Sequence, residues 1–550
     1  MSEEQPVYDY IIIGAGSAGC VLANRLSANP EHSVLLLEAG SRPKGLWASM
    51  PAGVSRVILP GPTNWAYQSE PDPSLAGRRI YVPRGKALGG SSAINGMAYL
   101  RGHREDYDHW VSLGCAGWGW DDVLPFYKKF EHREEGDEAF RGRDGELWVT
   151  DPVFKHPSSQ AFIESCVEAG IPRLDDLNAP SPEGTGFLQF TIKGGRRHSA
   201  ATAFLQPVLK RPNLHVLTGA LVQKIVIEAE RATGVEYSLG NQSIFAAARE
   251  IILSAGAIDS PKLLMLSGVG PAQELTRHGI PVLRDLPGVG ENLHDHVYVH
   301  SGIETDRVAS LNKDLRGLRS VLQGMNYLLR GKGCLTMGAS QAVALAQVLP
   351  GARRPDTQIN YRPLSWHFNK QGLVEIGKDN AVTISTCQLN PLSRGRLTLK
   401  SSNPIDAPAI YPNYFGNERD MVAAIAAVRK VREISCVGPL AKHIVNISPP
   451  DSMSDGEIAD YIRQEGASSM MHWVGSCKMG IDSMAVVDER LKVRGLQGLR
   501  VVDASIMPTI TSGNTNAPTI MIGEKGAAMI LEDRLIGPRR KFRSESARAN

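Results

Sequence analysis

The stretch Tyr10-Ile11-Ile12-Ile13-Gly14-Ala15-Gly16-Ser17-Ala18-Gly19 decides the fold. Three β-branched residues in a row suit a short strand covered on both faces. Gly14, Gly16 and Gly19 then meet the spacing G-x-G-x-x-G, and Ser17 to Ala28 continues as a helix with Val21, Leu22 and Leu26 apolar. Each glycine has a mechanical reason: a tight turn, an open approach for a pyrophosphate, and close packing of helix on strand. The helix start aims its free N–H groups and the positive end of its dipole at that pyrophosphate. Ser33-Val34-Leu35-Leu36-Leu37 forms a second buried strand and ends in Glu38, whose side chain can accept from both hydroxyls of an adenosine ribose. A glycine-rich turn alone would be ordinary. In this strand–turn–helix–strand context it predicts an ADP-containing dinucleotide.

Outward from that unit, residues 40–100 are heavy in Gly, Pro and Ser and include the run 83–99, Pro-Arg-Gly-Lys-Ala-Leu-Gly-Gly-Ser-Ser-Ala-Ile-Asn-Gly-Met-Ala-Tyr. So many small residues build no core; they let backbone lie against something flat or charged. Residues 118–132 read as a short surface helix capped by an aspartate, and Ser158 to Ala169 as a helix with Phe162, Ile163, Cys166 and Val167 on one face. Residues 214–237 alternate as strands. Glu250 to Met265 reads as a buried strand, a turn, and a helix with Ser260 as N-cap and Pro261 in the first helical position. From about 300 to 469 helical patterns (315–329, 421–434, 455–465) alternate with strand-like runs (381–389, 395–399), which predicts a second lobe. Leu499 to Asp503 then repeats the first texture, a buried strand ending in an acid, and Pro518 to Ile530 is a helix.

At 550 residues the chain has material for two to four lobes. Hydrophobic residues at 42% and charged residues at 21% are those of a globular protein. The net charge of +3 is concentrated in residues 537–550, which carry +4 and leave the body near −1, so nothing asks for nucleic acid. That tail reads as a frayed, solvated terminus, with weak attraction to anionic membrane lipid as the sharper alternative. Seven scattered cysteines form no C-x-x-C pair and no zinc spacing, which suits a reducing compartment and predicts no metal. With no signal-peptide pattern and no apolar run of about 18 residues, the expectation is a cytoplasmic protein.

Two late segments carry candidate chemistry. Met470-Met471-His472-Trp473-Val474-Gly475-Ser476 sets a histidine among small residues, and Asp503 to Pro508 with Thr511 to Thr519 gathers polar side chains before a helix. Taken alone, His472 reads as a structural histidine, and Asn514 and Asn516 as turn and cap residues.

Gly85-Lys86-Ala87-Leu88-Gly89-Gly90-Ser91-Ser92-Ala93-Ile94-Asn95 and Gly256-Ala257-Ile258-Asp259-Ser260-Pro261-Lys262-Leu263-Leu264, closing with Ser267-Gly268-Val269-Gly270, resemble the two signatures of the glucose–methanol–choline family of FAD-dependent oxidoreductases. The likeness runs over about residues 8–532, and Asn95-Gly96-Met97 and Asp503 to Pro508 look most like the bacterial choline dehydrogenases and aliphatic alcohol dehydrogenases. It implies an α/β architecture (α+β overall): a discontinuous Rossmann-like FAD-binding domain over 1–155, 200–300 and 470–536, interleaved with a substrate-binding domain of antiparallel sheet plus helices over 156–199 and 301–469.

The resemblance also implies roles. His472 is the general base toward an alcohol, Asn514 holds the same oxygen, and the hydride passes to flavin N5. FAD contacts fall on Gly14, Gly16, Ser17, Ala18, Gly19, Glu38, Ala39, Trp65, Arg84, Gly89, Gly90, Ser91, Asn95, Gly96, Met97, Ala98, Val222, Ala255, Gly256, Trp473, Asp503, Ala504, Asn514 and Thr515, with Asp503 on the ribityl chain. Members with covalent flavin can use a histidine just before the asparagine of the first signature. Here that position is Ile94, so dissociable FAD is expected. The implied partners are a small alcohol and an electron acceptor (oxygen, a quinone or another); the oligomeric state stays open. An FAD-retaining lyase of hydroxynitrile type, a non-catalytic flavin-binding or membrane-docking protein, and a nicotinamide-dependent dehydrogenase are the competing readings.

Overall fold

The computed structural model describes residues 7–180, 182–368 and 374–536. The basic segment 537–550 lies outside them. Its first sheet is parallel at the centre: strand Tyr8–Ile13 lies between Val34–Glu38 and Gln242–Leu253, with Leu214–Thr218 beyond the former and Leu499–Val501 beyond the latter. Ile11, Leu36, Ile252 and Val501 are fully buried. Covering both faces explains why these strands are apolar at successive positions rather than alternately. Burial of such a side chain contributes about 1.5–3 kcal/mol. Gln242–Leu253 also pairs antiparallel with Arg231–Leu239, which pairs with Ala220–Glu228.

The second sheet is antiparallel, in the order Ile444–Ser448, Val297–Thr305, Ala381–Gln388, Thr357–Arg362, Ala342–Ala346, Gly184–Phe187. Ala467–Ser469 adds to the start of Val297–Thr305, with Val297 opposite Ser469. Helices Pro157–Glu168 and Glu418–Ser435 pack on this sheet through Phe162, Cys166, Val431 and Ile434.

Helix Asn516–Ile536 closes the molecule by lying along helix Ser17–Leu26. The Ser17 hydroxyl donates to Asn516 Oδ1 at 2.8 Å, and Arg25 Nη2 reaches the fully buried Glu524 at 2.6 Å. Arg534 donates to Asp9 at 3.0 Å. Residues 9–25 and 516–534 are therefore tied together.

Three local expectations are corrected. The helix after Gly119 runs from Trp120 to Phe130 and buries Trp120, Val123, Tyr127 and Phe130, so it is a core element rather than a surface one. Asp122 does cap it, but from inside, accepting from Gly119 N–H at 3.0 Å. Val167 faces solvent, off the Phe162–Ile163–Cys166 face. The helix of the second signature starts at Gly256, one turn earlier than Ser260, because Asp503 Oδ2 accepts from Gly256 N–H at 2.8 Å and supplies the missing partner there. Ser260 sits within the helix and donates to the same oxygen at 2.6 Å.

Candidate active site

Gly14 turns with φ +97°, and a Cβ there would meet Ser254 O at 2.6 Å. A Cβ at Gly19 would sit 1.9 Å from Gly14 O, so helix and turn touch only because Gly19 lacks one. At Gly16 the nearest atom would be 3.8 Å away, leaving the approach to the turn open. The small-residue loop docks directly on this turn: Gly89 N–H donates to Ala15 O at 2.8 Å. Glu38 holds the next bend, with Oε2 accepting from Ala15 N–H at 2.9 Å and Oε1 from Gly40 N–H at 2.8 Å. Burial pushes its carboxyl up to about 7 despite those bonds.

From here one cavity of about 790 Å³ runs to His472, within the range of small-ligand and cofactor sites. Its wall includes every FAD contact named from the sequence except Gly19 and Gly89, which support the turn from behind. Asp503 lines the cavity but is already engaged, with Oδ2 on Gly256 and Ser260 and Oδ1 on Ser505 N–H at 2.8 Å. It fixes two turns whatever else it holds.

The reacting end is assembled from distant segments. Pairing of 297–299 with 467–469 continues beyond the strands, with Met470 N–H donating to His296 O at 2.9 Å. This brings His472 beside Asp295 and His296. Asp295 Oδ1 accepts from His472 N–H at 2.6 Å, and Oδ2 accepts from Tyr414 OH at 2.6 Å and Ser469 OH at 2.5 Å. Burial raises the Asp295 carboxyl to about 6. Arg84 Nη2 donates to Met471 O at 2.6 Å, tying the first signature to the histidine segment.

The imidazole contacts determine where the protons sit. His296 Nε2 lies 2.9 Å from Leu389 O, which can only accept, so Nε2 carries the hydrogen. In the neutral ring, Nδ1 is then an acceptor. It lies 3.0 Å from His472 Nδ1, which must therefore be the donor. His472 Nε2 is left with its lone pair facing Asn514 Nδ2 at 3.1 Å. Burial first, then His296 and Arg84, hold His472 well below 6.5. Burial brings His296 down to about 4. Both rings are neutral at neutral pH.

Asn514 Oδ1 and Trp473 Nε1, two of the buried polar atoms on the wall, have no protein partner. Such orphans fit a site that takes a ligand with its own donors and acceptors. Beyond them lie Tyr298, His300, Asn360, Arg362 and Ser468. Arg362 donates to Ser340 Oγ at 3.2 Å and Ser385 Oγ at 3.3 Å, with its guanidinium over the Tyr298 ring. Among the described wall residues the carboxylates are Glu38, Asp259 and Asp503, all on the side of the first sheet.

Family models described as GMC oxidoreductase match residues 8–298 and 391–523. The chain belongs to the GMC oxidoreductases. An alcohol dehydrogenase [acceptor] of Pseudomonas putida is 42% identical over 532 residues, covering 96% of each chain. An oxygen-dependent choline dehydrogenase of Rhizobium etli (strain CIAT 652) is 42% identical over 95% of each. Among solved structures, pyridoxine 4-oxidase from Mesorbium loti is 30% identical with a TM-score of 0.86, covering 96% of this chain and 99% of that one. A formate oxidase of Aspergillus oryzae RIB40, studied for its FAD modification, is 25% identical with a TM-score of 0.89 over 97% and 100%. This GMC oxidoreductase is an FAD enzyme, and its long cavity, open glycine turn and buried orphan atoms fit that cofactor.

Sequence reading missed several parts of the GMC site, Arg362 on its wall among them. Asp295 and His296 stand in the run Leu293-His294-Asp295-His296 directly before a strand, a cluster of ionisable residues that could have drawn notice. Arg197 has no motif: its Nη1 donates to Asn95 O at 2.6 Å and Asn95 Oδ1 at 2.9 Å and so holds the first signature in place. Burial lowers its guanidinium to about 9.

Proposed function

We propose that this enzyme oxidises a neutral alcohol at its C–OH carbon to the carbonyl, with His472 as general base and Asn514 fixing the alcohol oxygen. The observation that carries the reading is the proton order from Leu389 O through His296 to His472, which leaves the Nε2 lone pair on the cavity. An alcohol donates hydride readily only as its O–H proton leaves, so a neutral imidazole beside the oxygen lowers the barrier. Asn514 Nδ2 lies against the same lone pair and can donate to the alcohol oxygen as negative charge grows on it. The His472 imidazolium formed would keep its Nδ1–H on His296, a chain that holds the ring in one orientation throughout.

Bound FAD supplies the hydride acceptor, flavin N5. Glu38, the Gly14–Gly16 turn and the start of helix Asn516–Ile536 would hold its polar parts. Ile94 lines the cavity and offers no nucleophile, which supports dissociable FAD.

The relatives divide between alcohol and choline names. A buried guanidinium at Arg362, with no carboxylate beside it on the described wall, opposes a trimethylammonium head and favours an uncharged alcohol. Anaerobic mixing with short primary alcohols should bleach the flavin absorbance, and more slowly with choline. A flavin that stays oxidised with every alcohol refutes the reading.

A further inference from the structure

Helix Gly317–Arg330 sets Leu318, Val321, Leu322, Met325, Leu328 and Leu329 on an arc of roughly 120° at ~100° per residue. All six are exposed, from 51% at Met325 to 78% at Leu329. A helix on a water-facing surface turns such an arc toward the core. This one instead turns Ser320, Gly324 and Tyr327 inward onto the catalytic cavity, and Tyr327 OH donates to Gly195 O to hold it there. Exposed apolar area of this extent marks an interaction surface.

The charge around the arc is predominantly positive, with Asp314, Glu375 and Asp379 as the acids nearby. Lys313, Arg316, Arg319, Arg330 and Lys332 stand against Asp314, which Arg319 pairs with at 3.0 Å. Leu46 and Trp47 line the same cavity and are exposed, and the Arg56 guanidinium covers the Trp47 ring at 5.3 Å. Residues 39–58 hold Arg42, Lys44 and Arg56 and no acid.

We propose that this face docks on an anionic lipid bilayer. Helix 317–330 lies in the headgroup plane, and the cavity opens toward the lipid. A large apolar arc, basic flanks, a tryptophan and low overall hydrophobicity are the requirements for an interfacial helix. Among the described residues no helix is long and apolar enough to cross a membrane. A second copy of the chain would set cations against cations, and the basic segment 537–550 carries the same sign, so neither complements the face. Resting on the oxidoreductase reading, the consequence is that an apolar alcohol or an apolar electron acceptor would enter from the bilayer. The docking itself does not depend on that reading.

The test is co-sedimentation of the full-length FAD enzyme with phosphatidylglycerol/phosphatidylethanolamine vesicles and with neutral phosphatidylcholine vesicles. The enzyme should pellet with the anionic vesicles and be released by salt. Replacing Leu318, Leu322 and Leu329 together by Glu should weaken partitioning at least ~10-fold. These side chains do not line the cavity, so turnover of a short water-soluble alcohol with a soluble dye should be unchanged. Deleting 537–550 should leave binding in place. A wild-type enzyme that stays in solution overturns the proposal, as does a triple variant that still pellets or binding lost with the tail alone. So does a wild-type dimer that the triple variant converts to monomer without vesicle binding. An enzyme that pellets as expected but whose flavin no alcohol reduces would refute the function and leave the docking intact.

Discussion

At the nucleotide end of the cavity the polypeptide backbone makes the site. Gly14 and Gly16 shape the turn, and the N–H groups of Ala15 and Gly40 hold Glu38. All of these residues belong to one strand–helix–strand unit. At the reacting end the side chains matter, and no two of the principal ones share a unit: His296 precedes a strand of the second sheet, His472 follows another, and Asn514 precedes the last helix. The first end binds through shape, which tolerates little added volume. The second works through the positions of protons, which tolerate little change of tautomer.

The largest effect should come from the reacting end. His472→Ala should lower the rate of anaerobic flavin reduction by at least ~10²-fold while the yellow colour is kept. Retained rate would remove His472 as the base. Next, His296→Ala should cost roughly 10-fold in kcat with a small change in KM, because the ring beside Asn514 loses its fixed tautomer and orientation. The same variant carries a pH signature. His472 sits well below 6.5 in the wild type, so kcat/KM should stay level from neutral pH to below pH 6.5. His296 is one cause of that depression, so in His296→Ala the acid limb should move to higher pH. A limb that does not move would leave His296 a structural role alone.

The nucleotide end should break differently. Gly19→Ala forces a Cβ onto Gly14 O and should destabilise the protein by about 1–3 kcal/mol and lower FAD content, read by thermal melting and absorbance. Gly16→Ala has room within the protein, so it should melt nearly as the wild-type apoprotein does yet bind FAD more weakly. If both variants behave alike, the open approach at Gly16 does not serve the cofactor.

The smallest effect is on stability, again at the reacting end. His296 titrates near 4 when folded and near 6.5 when unfolded, so the unfolded chain binds more protons between those values. Stability from this buried neutral ring is present in full above pH 6.5 and should fall as pH drops toward 4. Melting temperatures across that interval should show a shallower slope in His296→Ala.

The same contrast explains what could be read without coordinates. The parallel strands and the glycine turn are local patterns of spacing and burial, so Ile11 to Ile13 and Leu35 to Glu38 announce themselves. His472 was indistinguishable from the other histidines until family resemblance singled it out, because its partners come from the far ends of other strands. Arg362 and Arg197 were missed for the same reason: a buried guanidinium is defined by its surroundings, and those are tertiary. The helix starts at Gly256 and Trp120 were displaced because Asp503, just beyond the distant strand Leu499–Val501, supplied one cap and an internal residue, Asp122, the other.

The ties between helix Ser17–Leu26 and helix Asn516–Ile536 also set an order of events during synthesis. Helix Ser17–Leu26 is made 499 residues before its partners Asn516 and Glu524, so it lacks their contacts until they follow. At ~5–20 residues per second, that interval is roughly 25 to 100 seconds. Throughout it the apolar unit of residues 8–38 lacks that cover, and a chain stopped before residue 499 lacks the strand Leu499–Val501 that pairs beside Ile251 to Leu253.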